Sequence, residues 1–434
     1  MKKSKIAASS LIIFLVVSAM VNLAFATDWL KFQNDTANSG VAIDSPRIDT
    51  TNPTGTDVWS QTTQAGSYYG IDTVPIIIGD YTYVVASGST DVKLYKLSKS
   101  TGSIIWNIQI SNESSFHLDT PASDGTNIYV PVKQSSSILV KKISNLGNAS
   151  PTVTTLVTIA DNLQPTTPVT YDNGNLYFGS WVSGVYGKYY CVNASTGART
   201  WTYTATNRSG STAGNGFYWA GAAVAGNYVI FGDDDSYIHV LNKTTGTEVD
   251  QNSATVGIQA FDLQTYQVTA AEVRSSICYY SSGNHAYFTT KGGYLWDLTI
   301  NTSTGVLTHQ WNKNIGYSTS TPVRIGNRIY VGTGSFTTGT LYCYDASGNQ
   351  QWTYGTTAGG IQSSVIAYNN GAYTYLYFTT NGSSGKAYCV RDNGSTTSTK
   401  MWEYASSNYI LQGMAASGDY VVFGNDSGMV YGIK

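Results

Sequence analysis

The chain has 434 residues with a formal net charge of −2, and only 12% of its residues are charged. It has no basic stripe that could follow a phosphate backbone, which argues against a nucleic-acid partner. With 41% hydrophobic residues the chain can bury a large core, and Ser, Thr, Asn and Gly are left to fill the turns.

The amino-terminal residues 1–26 have the three parts of a secretory signal peptide. Lysines stand at the start, an apolar run is centred on residues 11–17, and an Ala-Phe-Ala sequence ends at Ala26. We therefore expect export, cleavage after Ala26, and a mature protein that is secreted or held at the cell surface without a transmembrane segment. The alternative is an uncleaved membrane anchor, because residues 6–25 are nearly long enough to span a bilayer.

Residues 27–56 form an irregular segment that is interrupted by two prolines. Its aromatic and aliphatic residues Trp29, Leu30 and Phe32 argue against a disordered leader. We expect this segment to pack under the domain that follows, as a plug or clasp.

From residue 57 to the end, short alternating apolar segments separated by Gly, Asn, Ser and Thr recur along the chain. The clearest copy, residues 320–352, reads as four short antiparallel strands joined by tight turns. Equivalent second-strand positions follow one another at intervals of 43 to 57 residues, which is the length of a four-stranded propeller blade. These positions are Tyr83, Tyr129, Tyr177, Ile230, Tyr287, Tyr330, Tyr377 and Val422.

The eighth repeat ends with the chain after only three strands. Residues 57–60 carry a tryptophan like the fourth strands of other repeats and can supply the missing strand. The sequence therefore predicts an all-β fold, an eight-bladed β-propeller over residues 57–434 whose last blade is closed by an amino-terminal strand. Seven blades remain the alternative, because Pro131 interrupts the second strand of the second repeat.

A glycine precedes a tryptophan by four residues in several repeats, as in Gly197 and Trp201. The glycine supplies the left-handed backbone of a tight hairpin, and the tryptophan is expected to lie between neighbouring blades. Repeats two and four lack the tryptophan, so we expect their seams to be the weakest. The predicted inter-blade residues are Trp59, Trp106, Trp201, Trp311, Trp352 and Trp402.

The recurring pattern, with IYVGT in the second strand and LYCYDASGNQQW in the third and fourth, resembles the repeat of the quinoprotein-like eight-bladed β-propellers. This superfamily is named after the pyrroloquinoline quinone (PQQ) dehydrogenases. It also contains the non-enzymatic propeller of the bacterial outer-membrane assembly machinery. The resemblance covers about residues 57–434 and implies a ring with a central funnel, but it does not choose between enzyme and non-enzyme, because the fold hosts both.

The resemblance implies that a PQQ dehydrogenase would need a catalytic Asp, Ca²⁺ ligands and usually an adjacent pair of cysteines. No two of the four cysteines are adjacent, and three occupy equivalent third-strand positions that rotational symmetry keeps apart. We interpret them as buried apolar groups and predict no cofactor, no metal and no catalytic residue. PQQ with Ca²⁺ belongs only to an alternative in which the protein is an oxidoreductase. The cysteines are Cys191, Cys278, Cys343 and Cys389.

Other catalytic or metal-binding patterns are weak. The four histidines fall in different repeats without the spacing of metal ligands. The run Asp233, Asp234 and Asp235 looks like a set of Ca²⁺ ligands. It lies at a hairpin turn, however, where short polar residues need no metal, and we favour the turn.

Propellers bind ligands where the loops that lead into the innermost strands converge. An acidic side facing a basic one across aromatic rings could hold a sugar or a peptide. The alternative is that Asp72, Asp119 and Arg274 only satisfy backbone amides along the channel. The predicted ligand-binding residues of this funnel mouth are Asp72, His117, Asp119, Tyr218, Trp219, Arg274, Gln362 and Gln412.

Ten Asn-x-Ser/Thr triplets could accept glycans after export. They are Asn34, Asn112, Asn148, Asn193, Asn207, Asn242, Asn301, Asn381, Asn393 and Asn425. Taken together, the sequence predicts an exported, non-catalytic binding or scaffold module whose partner is a protein or a glycan at the cell surface. A carbohydrate-binding or carbohydrate-cleaving propeller is a further alternative.

Overall fold

The computed structural model describes residues 26–66, 70–206, 215–252, 259–266 and 272–434. It confirms the all-β, eight-bladed propeller: eight sheets, each with at least four strands, follow one another along the chain. The signal segment lies almost wholly outside the described residues. Among the described residues, helical structure is limited to the single turns Gly55–Asp57 and Leu263–Thr265, and no helix has the length and apolar character to cross a membrane.

Each blade runs from an innermost strand at the channel to an outermost strand at the rim of the ring. In that order, blade 1 has Ile76–Ile78, Tyr81–Ser87, Val92–Ser98 and Ile104–Ser111; blade 2 has Ala122–Ser123, Ile128–Gln134, Ser137–Ser144 and Thr152–Ile159. Blade 3 has Thr170–Asp172, Asn175–Trp181, Lys188–Asn193 and Arg199–Thr204, with Gln164–Pro165 added to its second strand; blade 4 has Ala223–Ala225, Tyr228–Gly232, Tyr237–Asn242 and Phe261–Asp262.

The second half of the ring is built in the same way. Blade 5 has Cys278–Tyr280, His285–Thr290, Tyr294–Ile300 and Leu307–Asn314; blade 6 has Val323–Ile325, Arg328–Gly334, Gly339–Asp345 and Gln350–Thr356. Blade 7 has Ile366–Asn369, Thr374–Thr379, Lys386–Asp392 and Ser398–Ala405; blade 8 has Ala415–Ser417, Tyr420–Gly424, Met429–Ile433 and Val58–Thr62. Pro131 is paired within the second strand of blade 2, so the second repeat is a full blade and the count of eight holds.

An amino-terminal strand closes blade 8, as the sequence predicted. Val58–Thr62 runs antiparallel to Met429–Ile433, with Trp59 opposite Gly432 and Ser60 opposite Tyr431. A Cβ atom at Gly432 would lie 2.2 Å from the indole ring of Trp59, so only glycine fits beneath that ring. Strands from the two ends of the chain therefore complete the last blade and close the ring.

The hydrophobic core is divided among the seams between neighbouring blades. Six clusters each join two successive blades, and the largest joins blades 7, 8 and 1 to the amino-terminal segment. Aliphatic side chains make up most of these clusters, and tyrosine and phenylalanine rings from the second and third strands pack among them, because both faces of a propeller blade are buried against a neighbour.

The segment before the propeller enters the central channel. Its chain pairs at Trp29 with the first strand of blade 1, and Val41–Ala42 adds a parallel strand to the first strand of blade 7. At the turn between them, the Asn38 side chain donates two 3.0 Å hydrogen bonds to the carbonyls of Ala222 and Ile277, in blades 4 and 5. The amino-terminal segment thus fills the channel with its own polar and aromatic groups, rather than lying only beneath the ring.

Three of the six predicted tryptophans lie on the hairpin turn of the next blade along the ring. The indole N–H of Trp201 in blade 3 donates a 3.0 Å hydrogen bond to the carbonyl of Lys243 in blade 4. A Cβ atom on the turn glycine Gly246 would lie only 2.5 Å from the nearest carbon of this indole ring. Trp59 contacts blade 1 in the same way through Lys99 and Gly102, and Trp311 contacts blade 6 through Ala346 and Gly348.

The remaining three tryptophans, Trp106, Trp352 and Trp402, are also buried. The indole N–H of Trp402 bonds at 3.0 Å to the carbonyl of Arg47, in the segment that crosses from the channel to blade 8. The three hairpins covered by a tryptophan therefore require glycine for a second reason, which the sequence pattern did not reveal. It admits a ring from the preceding blade as well as permitting the turn.

Candidate funnel-mouth site

A cavity of about 450 Å³ opens at the mouth of the funnel. Aromatic rings from several blades form most of its wall, and two carboxyl groups and two amide side chains complete it. The rings are Phe116, Trp219, Tyr317, Phe336 and Tyr409, and the polar groups are Asp72, Asp426, Gln362 and Asn381. This volume is within the range of sites that hold small ligands or single side chains of a partner.

The cavity narrows towards the channel into a neck of about 20 Å³. Trp219, Gln362 and Leu411 line both spaces, and Phe32 of the amino-terminal segment lines only the neck. The funnel therefore ends on the chain's own amino-terminal segment, and the cavity is a cup open to one side.

The predicted funnel-mouth residues fall into three groups. Asp72, Trp219 and Gln362 line the cavity, and Arg274 and Gln412 line the neck. His117, Asp119 and Tyr218 stand behind the wall and support it. The loop before Asp72 is described only from Gly70, and those before Trp219 and Arg274 only from Asn215 and Glu272.

Trp219 has a left-handed backbone, with φ of 68°. This conformation is costly for a bulky side chain and is maintained only where the surroundings demand it. The indole stacks on Tyr218, with ring centroids 5.0 Å apart, and its buried N–H has no hydrogen-bond partner among the described residues. Trp219 thus presents both an aromatic face and an unused donor at the junction of cavity and neck.

Asp72 and Asp426 form a pair of carboxyl groups in the cavity wall. They come from the loop into blade 1 and from the turn between the second and third strands of blade 8. Burial raises the pKa of Asp72 well above its ordinary value, and the charge of Asp426 adds to the rise. Burial also raises the pKa of Asp426 to about 6. A protonated Asp72 therefore shares its proton with the Asp426 carboxylate, as in other closely spaced carboxyl pairs.

Sequence reasoning missed Asp426, together with the rim residues Tyr317, Phe336 and Tyr409. The sequence pattern explains Asp426 fully as a turn residue, and so it does not stand out as part of a site. The signal that could have found it is its position in a turn between second and third strands, since such turns open on the same face as the loops into the first strands.

His117 and Asp119 are buried beside the cavity. The Asp119 carboxylate lies 2.9 Å from Nδ1 of His117, whose Nε2 lies 2.8 Å from the Ser115 hydroxyl. Burial raises the pKa of Asp119, and the histidine limits that rise. The two residues are bonded to each other and hold the loop into blade 2.

Arg274 has an acidic partner on the neighbouring blade. Its guanidinium nitrogens lie 3.0 and 3.1 Å from the two carboxylate oxygens of Asp234, and its guanidinium carbon lies 4.5 Å from the Tyr218 ring centroid. Glu272 is a further 3.7 Å contact. The positive charge is thus balanced on its own side of the funnel, rather than directed at Asp72.

The aspartate run after the second strand of blade 4 is used within the protein. Asp233 Oδ1 accepts 2.9 Å hydrogen bonds from the amides of Asp235 and Tyr237, which is turn chemistry. Its Oδ2 lies 3.0 Å from Nε2 of the buried His239, whose Nδ1 lies 2.7 Å from Glu248. Burial lowers the pKa of His239, but the two carboxylates outweigh it and raise the pKa to about 9.

Two of the predicted glycan acceptors are not accessible in the folded chain. Asn381 and Asn425 are buried, whereas Asn112, Asn148 and Asn301 are exposed. Asn207 lies outside the described residues.

Comparison with known proteins places this architecture in a family. The model of the family described as outer membrane protein assembly factor BamB matches residues 45–140 and 148–434. The chain belongs to the BamB family. A search of the curated proteins finds no match.

Solved structures similar to this BamB-family chain include another BamB and several dehydrogenases. BamB from Moraxella catarrhalis is 13% identical, with a TM-score of 0.56, over 86% of this chain and 97% of that one. The quinohemoprotein alcohol dehydrogenase from Comamonas testosteroni is 12% identical, with a TM-score of 0.67, over 93% and 80%. A europium-containing methanol dehydrogenase is 11% identical, with a TM-score of 0.65, over 91% and 89%. At these identities the likeness shows the fold alone.

The enzymes among these neighbours raise the question of whether the BamB-family cavity fits PQQ with Ca²⁺. PQQ is a planar tricarboxylate, so its site needs cationic groups, yet the described lining of the cavity contains two aspartates and no lysine or arginine. Arg274 reaches only the neck and is paired with Asp234. In the described parts of the chain no three His, Cys, Asp or Glu side chains converge as metal ligands. These residues do not fit the group.

The four cysteines are buried free thiols in different blades. Burial raises the pKa of Cys191 to about 11 and those of Cys278 and Cys343 to about 12, so these thiols are protonated and unreactive at neutral pH.

Proposed function

We propose that this propeller is an exported, non-catalytic binding module that holds a protein partner at the funnel mouth, outside the cytoplasm. Membership of the BamB family supports a role in assembly or scaffolding in the cell envelope, because the family takes its description from an outer membrane protein assembly factor. The lack of fit to PQQ supports a binding role over the oxidoreductase alternative.

The observation that carries the proposal is the exposed aromatic rim of the cavity. Phe336 is 61% exposed and Tyr317 is 37% exposed, although most large apolar side chains of the chain are buried. Phe336 meets Tyr409 edge to face, with ring centroids 6.1 Å apart. Exposed aromatic side chains around a concavity are typical of sites that anchor a protein partner.

A site-specific photo-cross-linker at Phe336 tests this proposal in the cells that produce the chain. We expect a defined cross-linked protein at Phe336 and none at the control position Ile43. Ile43 is 71% exposed and follows the strand Val41–Ala42, which runs away from the mouth parallel to Ile366–Asn369. Equal cross-linking at both positions, or none at Phe336, would contradict the proposal.

Two further measurements separate the alternatives. The cavity combines Trp219 with amide and carboxyl groups, and such a combination also binds sugars. A glycan array that compares the protein with the Trp219→Ala variant detects this binding. Dye-linked oxidation of alcohols or sugars after addition of PQQ and Ca²⁺ would show catalysis and would overturn the non-catalytic role.

A further inference from the structure

The cavity contains a buried acid, Asp72, and a half-buried one, Asp426, whose shared negative charge has no cationic partner in the described chain. Asp72 is 5% exposed, and among the described residues its side chain accepts no hydrogen bond from an amide, a hydroxyl or a cation. Asp426 shares the proton of Asp72, and its buried Oδ1 has no other hydrogen-bond partner within the described part of the chain. Arg274, which lines the adjoining neck, is neutralised by Asp234 and Glu272.

Other groups in the same wall have unused hydrogen-bonding capacity. The Gln362 side chain is buried and accepts from Asn381 Nδ2 at 3.0 Å, which leaves its own Nε2 without a partner among the described residues beside the cavity. The indole N–H of Trp219, on a backbone with φ of 68°, is likewise unused. Buried polar atoms are nearly always satisfied, so the unpaired Trp219 N–H, together with the Asp72 and Asp426 pair beside the same cavity, indicates a ligand that satisfies them.

The chemistry of that ligand follows from the wall. Two carboxyl groups attract a cation, and the faces of Trp219, Tyr317 and Phe336 stabilise a cation by their quadrupoles. Two unused N–H donors suit the carbonyl oxygens of a peptide backbone. A lysine or arginine residue within a peptide provides both the cation and the carbonyl oxygens.

We propose that the cavity receives a basic side chain of the partner, with its cationic head at Asp72 and Asp426 and its peptide carbonyls at Trp219 and Gln362. This inference rests on the proposed function and names the chemistry of the partner segment. On binding, the cation takes the place of the proton that the two carboxyls share, and that proton passes to solvent.

Short capped peptides test the proposal on the purified full chain. Ac-Gly-Gly-Arg-Gly-Gly-NH₂ and its lysine counterpart are titrated by calorimetry against matched peptides that contain citrulline or Nε-acetyl-lysine. We expect a basic peptide to bind at least about tenfold more tightly than its neutral counterpart, because bonds to charged groups are worth more than neutral ones. Equal affinity for the charged and neutral peptides would overturn the proposal.

Variants of the two aspartates test whether the preference for basic peptides arises at this cavity. Asp72→Asn combined with Asp426→Asn should abolish the preference for the basic peptide, whereas the exposed Asp419→Asn, in the same blade as Asp426, should leave it unchanged. If the pair were only structural, Asp72→Asn would lower the melting temperature and leave the preference intact. The single Asp72→Asn variant keeps the test decisive if the double variant does not fold. A neutral oligosaccharide that binds equally to the protein and the double variant would also contradict the proposal.

The cross-link at Phe336 tests the proposed function and the peptide titration tests the basic anchor, so a failure of one can be told apart from a failure of the other. A cross-linked partner without a preference for basic peptides keeps the binding role and removes the basic anchor. A preference for basic peptides without a cross-linked protein keeps the acidic cavity and removes the proposed protein partner.

Discussion

Blade 4 contacts its two neighbours through seams of different chemistry. Towards blade 3, Trp201 covers Gly246 and bonds to the Lys243 carbonyl. Towards blade 5, the equivalent turn glycine Gly305 faces Val249, and the buried Gln251 amide donates a 3.1 Å bond to the Gly305 carbonyl and accepts a 2.7 Å bond from the Leu307 amide.

This difference shows that the turn glycine is kept even where the tryptophan is not. Gly305 has φ of 79°, and a Cβ atom there would lie 2.7 Å from Val249 and 2.8 Å from Tyr228. At the hairpin turn, the seam with blade 3 is therefore covered by an aromatic ring, whereas the seam with blade 5 has a buried amide that satisfies two backbone groups beside the apolar cluster of blades 4 and 5. The prediction that blades without tryptophan have the weakest seams becomes a measurable contrast between these two surfaces.

The largest expected effect comes from removing the indole ring of Trp201. Trp201→Ala should lower the free energy of unfolding by about 3–5 kcal/mol, because it leaves a cavity and removes one of the two side-chain hydrogen bonds to the Lys243 carbonyl, the other coming from the Tyr177 hydroxyl. Denaturant unfolding measures the loss, and hydrogen exchange should show faster exchange in blades 3 and 4 than in blade 5. Unchanged exchange at the seam between blades 3 and 4 would mean that the tryptophan does not hold it.

Substitutions at two glycines separate the cost of the left-handed turn from the cost of contact with the indole ring that covers it. Gly246 and Gly394 both have φ of 72°, but a Cβ at Gly246 meets Trp201, whereas one at Gly394 meets nothing within 4 Å. Gly394→Ala should cost about 1–2 kcal/mol for the left-handed backbone alone. Gly246→Ala should cost about 2–4 kcal/mol, because overpacking is added. Equal losses of stability in the two variants would show that contact with the ring does not restrict the turn.

The seam between blades 3 and 4 also depends on the protonation of His239. Its pKa is about 9 in the folded chain and 6.5 in its ordinary state. Because the folded value is raised, the stabilisation is fully present below pH 6.5 and is lost as the pH rises to about 9. We expect a loss on the order of 2–3 kcal/mol across this window.

The pH effect is isolated by comparison with His239→Gln, which removes this titration and leaves the others. The comparison is needed because burial lowers the pKa of Lys31 to about 8, which opposes the trend at the upper end of the window. The groups that face His239 are Asp233, Glu248 and the Tyr203 hydroxyl. A pH dependence that is the same in both proteins would contradict the assignment to His239.

The smallest effect should come from the amide of the other seam. Gln251→Leu keeps the side-chain volume but leaves the Leu307 amide and the Gly305 carbonyl without partners, at a cost of about 1–2 kcal/mol. Thermal unfolding measures this cost, and hydrogen exchange at Leu307 should accelerate. A loss as large as that of Trp201→Ala would contradict the predicted order of the two variants.

Repetition explains why the sequence alone determined the architecture. Each blade is specified by local alternation and turn residues over 43 to 57 positions, so eight copies report the same fold independently. The incomplete eighth repeat and the tryptophan near residue 59 together determined which strand closes the ring. The sequence also identified the loops of the mouth, because their place in the repeat is periodic.

Only the tertiary structure decided what those loops build. Asp72 and Asp426 are separated by almost the whole chain and meet because ring closure makes blades 1 and 8 neighbours. Arg274 pairs with Asp234 across a seam, and the amino-terminal segment turns into the channel to close the neck with Phe32. A periodic pattern specifies each sheet through short-range contacts, whereas charge pairing and cavity shape depend on long-range contacts that exist only once the ring has closed.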